Sequence, residues 1–144
     1  MSSPKLVPEL LVSDFDKSLR FYVEIIGCSI RYDRPAQRFA YLDLDGVHLM
    51  IEQESDFWKT GTREYPYGRG ISLQIEVEDL DSLLRRIEAA GLALFRPVED
   101  AWYRAGDAYS GNRQFLIQDP DGYLLRFFQD LGTTASPTSG RIEG

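Results

Sequence analysis

The chain has one histidine and one cysteine among its 144 residues, which leaves few routes to metal or nucleophilic chemistry. His48, Met50 and Glu52 alternate along one apolar-rich stretch, so an extended conformation puts all three on one face. Glu9, in an earlier stretch that also alternates, falls on the same inferred face. An imidazole and two carboxylates are a possible transition-metal set. A plainer reading competes. A two-residue turn at Asp45 and Gly46 pairs Leu44 with Val47 and sets Asp43 opposite His48, and an Asp–His cross-strand pair accounts for the histidine without a ligand role. Paired acids for hydrolysis, a nucleophile beside a histidine and a phosphate-binding glycine loop are not signalled. Cys28, being alone, excludes an internal disulfide and a multi-cysteine metal site, and reads as a small core residue.

Aromatic and polar side chains offer binding rather than catalysis. Hairpin geometry gathers Phe39, Tyr41, His48, Met50 and Glu52 on one face. A second hairpin, if its turn is the two residues Asp121 and Gly122, gathers Phe115, Ile117, Leu124, Arg126 and Phe128, and Ser72, Gln74 and Glu76 add a polar strip. Such a mixture suits a small-molecule pocket. Phe115 and Phe128 read mostly as core, and Tyr41, Met50 and Arg126 as pocket lining. Trp58 falls in the stretch 53–70, and Trp102 and Tyr103 fall in the stretch 95–112. Both stretches are expected to be connecting loops, where tryptophan would otherwise meet water.

The elements that position these groups come as a repeat. Phe39 to Glu52 and Phe115 to Phe128 are similar at an offset of 76, which lays Asp43 on Asp119 and Gly46 on Gly122. Upstream, an offset of 65 lays Asp14 on Asp79 and Leu19 on Leu84. The spacing predicts a strand over Lys5 to Val12 with Pro8 marking an edge, then a helix capped by Ser13 and ended by Gly27, a strand from Cys28 to Tyr32, and the first hairpin. The second copy opens on the alternating strand Ile71 to Val77, followed by a helix from Asp79 to Gly91. Each copy reads as β-α-β-β-β, an α+β class. Residues from 132 to 144 are Ser/Thr/Gly/Pro-rich and are expected to be a disordered tail.

Net charge is −7, which disfavours nucleic acid and anionic membrane surfaces and is compatible with a cationic ligand. No apolar run approaches a membrane span, and residues 1–5 hold no apolar signal core, so a cytoplasmic location is expected.

The duplicated module ending in an Asp-Gly turn resembles the vicinal oxygen chelate superfamily, which includes glyoxalase I, extradiol dioxygenases and bleomycin-resistance proteins. The likeness covers residues 5–131 and is most specific at Val12, Ser13 and Asp14 with Ser18 to Tyr22, and at Arg113, Gln114 and Phe115 running into Asp119, Pro120, Asp121 and Gly122. It implies a first module over 5–53, a linker loop over 54–70 and a second module over 71–131. Each would be a curved mixed sheet with a helix on its convex face, the two forming a concave cleft. In metal-dependent members of that group each module supplies two ligands. The matching positions here are Val7, Met50, Ser72 and Arg126, none a usual ligand, so no metal and no other cofactor is expected. Within the superfamily the sequence is most similar to the bleomycin-resistance branch, whose members are dimers that sequester a bulky cationic molecule without chemistry. A tryptophan those proteins often carry shortly before the Arg-x-Phe run is Gly111 here.

The resemblance therefore implies a non-enzymatic homodimer that binds a planar, cationic small molecule. Phe39, Tyr41, His48, Met50, Glu52, Trp58, Trp102, Tyr103 and Arg126 are the candidate binding residues, with Asp56 and Asp100 as further sources of negative charge. The alternatives are a metal-dependent glyoxalase-like lyase or isomerase with relocated ligands, and a sensor or carrier using the same pocket.

Overall fold

A computed structural model describes residues 4–144. The reading of Met1 to Ser3 as free of a signal core lies outside them. Among the described residues nine strands run in chain order: β1 (Glu9–Val12), β2 (Ser29–Arg34), β3 (Phe39–Leu44), β4 (Val47–Gln53), β5 (Ser72–Glu76), β6 (Arg96–Ala105), β7 (Ala108–Gln118), β8 (Leu124–Thr134) and β9 (Arg141–Glu143). Two α-helices, α1 (Phe15–Arg20) and α2 (Leu80–Ala89), follow β1 and β5. Among the described residues no helix is long and apolar enough to cross a membrane. The chain forms two compact units, one of residues up to Arg69 together with the turn Asp119–Tyr123, the other of Gly70–Gln118 and Leu124–Gly144.

In the first unit a four-stranded mixed sheet has the order β1-β4-β3-β2, with β1 parallel to β4 and the rest antiparallel. Pro8 stands just before β1, which is an edge strand, as a residue without an amide donor requires. The helix is capped by Asp14, whose carboxylate accepts from the Lys17 amide at 3.2 Å, and not by Ser13 as expected. Ser13 is diverted because its hydroxyl and amide both donate to the Asp121 carboxylate. After Arg20 the helix continues as a π-helical segment, Phe21–Ile26, that closes at Gly27 with φ 99°. Phe15, Phe21, Tyr22 and Ile26 are buried, and so are Leu10, Val12, Ala40, Leu42, Leu49 and Ile51 on the helix side of the sheet. Cys28 joins this core, and burial pushes its thiol up to about 12, so it is no nucleophile at neutral pH.

In the second unit a five-stranded mixed sheet has the order β5-β8-β7-β6-β9. Asp79 caps α2, accepting from the Ser82 amide at 3.0 Å. Leu80, Leu83 and Ile87 of this helix are buried, as are Ile75, Phe115, Ile117, Leu125 and Phe127 of the sheet. The helix therefore covers that face, and alternation leaves Gln114, Leu116, Leu124, Arg126 and Phe128 on the open face.

Three expectations are corrected here. The second hairpin does not turn on two residues: Gln118 pairs with Leu124, so Asp119 to Tyr123 form a five-residue loop, and only Gly122 in it has positive φ. The register moves by one, which turns every side chain of one strand over. Phe115 and Ile117 consequently face the helix with Leu125 and Phe127, and Arg126 is opposite Leu116 on the open face. The stretch 95–112 is not a loop but β6 and the start of β7, joined at Gly106 and Asp107. The segment from 132 onward is not a disordered tail: β8 runs to Thr134, and β9 adds to the outer edge of β6 by pairing Trp102 with Ile142. An unpaired β6 would leave a row of backbone donors and acceptors open, which is the physical reason a short polar strand settles there.

Candidate functional site

The open face of the first sheet carries five of the expected binding residues. Phe39 pairs with Glu52, Tyr41 with Met50 and Asp43 with His48, as the two-residue turn requires. Asp45 and Gly46 both take positive φ in that turn, at 50° and 90°. Tyr32 of β2 stacks on Tyr41 with centroids 5.1 Å apart and leans over Phe39 at 6.1 Å. Phe39 and Tyr41 are buried, so the aromatic row is a rigid floor and not a set of free arms.

His48 is also buried, and both its ring nitrogens are engaged. The Tyr41 hydroxyl is 2.7 Å from Nδ1, and the Arg31 guanidinium is 3.0 Å from Nε2. Either neutral tautomer satisfies these neighbours, since Nε2 faces both the Arg31 donor and the Asp43 acceptor and the Tyr41 hydroxyl can donate or accept. Asp43 is 3.3 Å from Nε2 and 3.8 Å from Arg31, completing a cross-strand cluster. The Asp43–His48 cross-strand pair is present, and both ring nitrogens have side-chain neighbours. Among the described residues no three His, Cys, Asp or Glu side chains gather closely enough to hold one. With Val7, Met50, Ser72 and Arg126 at the positions named above, the donor set does not fit a transition-metal centre.

Beside this face lies a cavity of about 390 Å³, lined by Glu9, Trp58, Arg63, Glu64, Tyr67, Arg69 and Tyr123 among others, two carboxylates facing two guanidinium groups. Trp58 is half exposed and packs edge-on against Phe57 at 4.7 Å. Tyr67 donates to Glu54 at 2.9 Å, and Arg63 pairs with the same carboxylate at 3.0 Å, so the loop wall is charge-balanced. Glu9 is different. Burial first, then the nearby Glu52 carboxylate, raise its pKa, and Arg34 offsets them only in part. The carboxylate Asp56, further along the same segment, opens the short 3-10 turn Asp56–Trp58 and does not line the cavity.

The remaining candidates lie in the second unit, and the sheet separates them. Trp102 pairs with Gly111 and Asp100 with Arg113, a register that continues to Phe115 and Ile117 on the helix-covered face. A Cβ at Gly111 would run into the Trp102 ring, so the indole lies directly over that glycine. Asp100 is held by Arg113 through two hydrogen bonds, at 2.8 and 3.2 Å. Tyr103, one residue on, points to the open face with Arg126, whose guanidinium carbon is 5.5 Å from the Tyr103 ring centre. Trp102 and Tyr103 therefore do not enclose one ligand together. A second cavity of about 480 Å³ opens at Tyr103 and Arg126. Sequence reasoning missed Arg96, Glu99 and Arg141 because they belong to stretches read as loop and tail, and Gln114 and Leu116 because the expected register put them on the other face.

Residues 6–127 match the sequence profile of the Glyoxalase/Bleomycin resistance protein/Dioxygenase superfamily. The chain belongs to that superfamily. A bleomycin resistance protein of Geobacillus stearothermophilus is 28% identical over 137 residues, spanning 87% of this chain and 96% of its own. A probable lactoylglutathione lyase of Vibrio parahaemolyticus is also 28% identical, over 145 residues, spanning 94% and 97%. Among solved structures, TioX from Micromonospora sp. ML1 superposes with a TM-score of 0.68 at 25% identity, covering 91% of this chain and all of TioX. A protein of unknown function from Agrobacterium tumefaciens gives 0.66 at 26% identity, covering 91% and 97%. The relatives thus include a bleomycin resistance protein and a probable lactoylglutathione lyase at the same identity.

Proposed function

We propose that this protein binds and sequesters a planar, cationic small molecule and carries out no chemistry on it. The observation that carries the reading is Glu9. It is an exposed residue at a cavity wall near Glu52, on a face floored by aromatic rings, and partial desolvation and then the Glu52 charge raise its pKa. A cation entering the cavity would relieve that repulsion, and Trp58 and Tyr67 would give its ring system faces to stack on. The poor metal donor set and the occupied His48 nitrogens support binding over catalysis. The binding site proper is then Trp58 and Glu9, with Glu52, Met50 and the aromatic floor of Phe39, Tyr41 and His48 beside them. Phe39, Tyr41 and His48 act by holding that floor in place.

A thermal-shift screen against planar organic cations, bleomycin included, tests the proposal. A ligand at 100 times its dissociation constant should stabilise the fold by about 2.7 kcal/mol. Trp58→Ala should weaken binding of the best hit at least about tenfold, and Glu9→Gln should weaken it and remove its dependence on salt. Hits that are all neutral or anionic would overturn the cation claim. The lactoylglutathione lyase relatives favour a second reading, a metal-dependent lyase with relocated ligands. Elemental analysis of purified protein separates the two: about one nickel or zinc per chain, lost with activity on chelation, would establish the second. The binding reading also carries a two-fold homodimer, for which sedimentation equilibrium should give twice the chain mass at micromolar concentration.

A further inference from the structure

The open face of the second sheet holds a pocket rich in guanidinium groups. Three guanidinium groups, Arg96, Arg126 and Arg141, line the 480 Å³ cavity with one carboxylate, Glu99, and with Tyr103, Gln114 and Leu116. Glu99 is committed to Arg141 at 2.7 Å. Arg141 in turn donates to the Tyr103 hydroxyl at 3.1 Å, and its guanidinium carbon is 5.7 Å from the same ring centre that Arg126 approaches to 5.5 Å. Two cations thus share one aromatic ring, and only Arg141 has a counter-charge. Among the described residues neither Arg96 nor Arg126 makes an ion pair within 4 Å, although the Arg96 charge is felt by Glu99. In a chain of net charge −7 this is a local reversal of sign.

Two polar atoms in the pocket wall lack partners. Arg126 Nε is buried with no acceptor, and Gln114 Oε1 is buried with no donor. Gln114 is only 2% exposed, and its amide nitrogen is already spent on Tyr103 at 2.7 Å and Glu99 at 3.2 Å. A buried polar atom without a partner costs about 1–3 kcal/mol and calls for a ligand or a water. The two orphans are complementary to one chemical unit. The Nε edge of a guanidinium is the edge that takes a carboxylate with two parallel hydrogen bonds, and an amide oxygen takes a hydroxyl or amino hydrogen. Arg126 and Gln114 are both next to Leu116, one across the β7–β8 ladder and one two residues along β7, on the same face. Diagonal neighbours on one face of a sheet are about 7–8 Å apart at the backbone, within reach of one small molecule held between two long side chains.

We infer that the second unit binds a small carboxylate bearing an adjacent hydroxyl or amino group. Arg126 takes the carboxylate, Arg96 supplies long-range attraction, Gln114 accepts from the adjacent donor, and Leu116 covers the carbon skeleton. Arg141, neutralised by Glu99, fixes the Tyr103 ring as the platform under Arg126. This site does not depend on the cation reading of the first unit and would stand if that reading failed.

Isothermal titration of the full chain with L-malate, succinate and inorganic phosphate, each against sodium chloride of equal ionic strength, tests the inference. L-malate should bind saturably and at least about fivefold more tightly than succinate, which lacks the hydroxyl. Arg126→Gln should weaken malate binding at least about tenfold, and the exposed Arg96→Gln about threefold, so that a folding defect in the first does not hide the result. Gln114→Leu should bring malate down to the level of succinate and leave succinate unchanged. Heats equal to those of the chloride control, or malate binding that survives Arg126→Gln and Arg96→Gln alike, would overturn the site. Phosphate binding more tightly than malate would overturn the carboxylate assignment, and malate equal to succinate would overturn the role of Gln114.

Discussion

The two modules share one sequence pattern and solve the same turn differently. In the first, Asp43 accepts from the Gly46 amide at 2.8 Å across a two-residue turn and remains partly exposed beside Arg31 and His48. In the second, the equivalent Asp119 is 3% exposed and organises a five-residue loop. Its carboxylate accepts from the amides of Asp121 and Tyr123, at 2.9 and 3.0 Å, and from the Tyr22 hydroxyl at 2.6 Å. One aspartate is a local turn residue, and the other anchors a loop to the helix of the first unit. Position in a repeat does not fix energetic weight; burial does.

The largest effect that follows is on Asp119. Asp119→Ala leaves the buried Tyr22 hydroxyl and two amides without their acceptor, and should cost about 3–5 kcal/mol in urea unfolding, against about 1 kcal/mol or less for Asp43→Ala. Equal losses at the two sites would break the comparison. The carboxyl of Asp119 is also lifted from 3.8 to about 6, because burial outweighs its hydrogen bonds. The folded state then holds a proton that the unfolded chain has given up. The stabilising contribution is full below about pH 4 and is lost as pH rises to about 6, an effect of about 3 kcal/mol for about two units. Asp119→Asn cannot titrate and should gain on the wild type by roughly that amount between pH 4 and pH 7. A parallel pH dependence of the two proteins would show that the hydrogen bonds, not burial, set this group.

The two tryptophans sharpen the comparison next. Trp102 lies over Gly111 on the helix-covered face, so Trp102→Ala should destabilise by about 2–3 kcal/mol, from lost burial and a cavity above the glycine. Trp58, half exposed at a cavity mouth, should cost less than about 1 kcal/mol when truncated. Chemical denaturation of both variants checks this, and a reversal of their order would place the structural tryptophan in the first unit.

The turn glycines come third. Gly122 has φ 92°, and a Cβ there would stand 2.5 Å from Pro66 Cβ and 2.6 Å from its Cα, so backbone must move. Gly46 has φ 90° with nothing within 4 Å. Gly122→Ala should cost about 2–3 kcal/mol and Gly46→Ala about 1 kcal/mol, the second being conformational strain alone. Thermal unfolding of the pair isolates the steric part.

The same contrast explains what is legible in the sequence. The first hairpin follows from Asp45 and Gly46, because a two-residue turn leaves no freedom in register. The other hairpin carries the same dipeptide at Asp121 and Gly122, but Asp119, Pro120 and Tyr123 also belong to its loop, and the resulting shift of one puts Phe115 and Arg126 on opposite faces. The helices and the buried stripe are legible because their periodicity is strong. β6 escapes because its open face carries Glu99 and Tyr103, so its apolar alternation is weak. The dipeptide Gly106 and Asp107 between Ala105 and Ala108 is the available hairpin signal. β9 has no apolar pattern at all, and its place is set by the open edge of β6. The second pocket stays hidden with those strands, since four of its walls lie on them or on the shifted register.

The smallest effect concerns that last strand, which has no counterpart in the four-stranded first sheet. β9 is three residues long, all of them exposed, and it pairs with β6 through Ala101, Trp102 and Tyr103. Its most specific contact is the ion pair of Arg141 with Glu99, whose side chains are 42% and 38% exposed. Pairs with that much water contact contribute about 0.2–1 kcal/mol, and three edge residues repay little more than the cost of ordering them. Truncation after Thr134 should therefore change the unfolding free energy by less than about 1 kcal/mol, while it frees Glu99 and releases the Tyr103 platform. Malate binding should fall by several-fold in the same protein whose stability is unmoved. A loss of several kcal/mol on truncation would make β9 part of the fold proper, and unchanged binding would remove Arg141 from the pocket and leave Arg96 and Arg126 as its working cations.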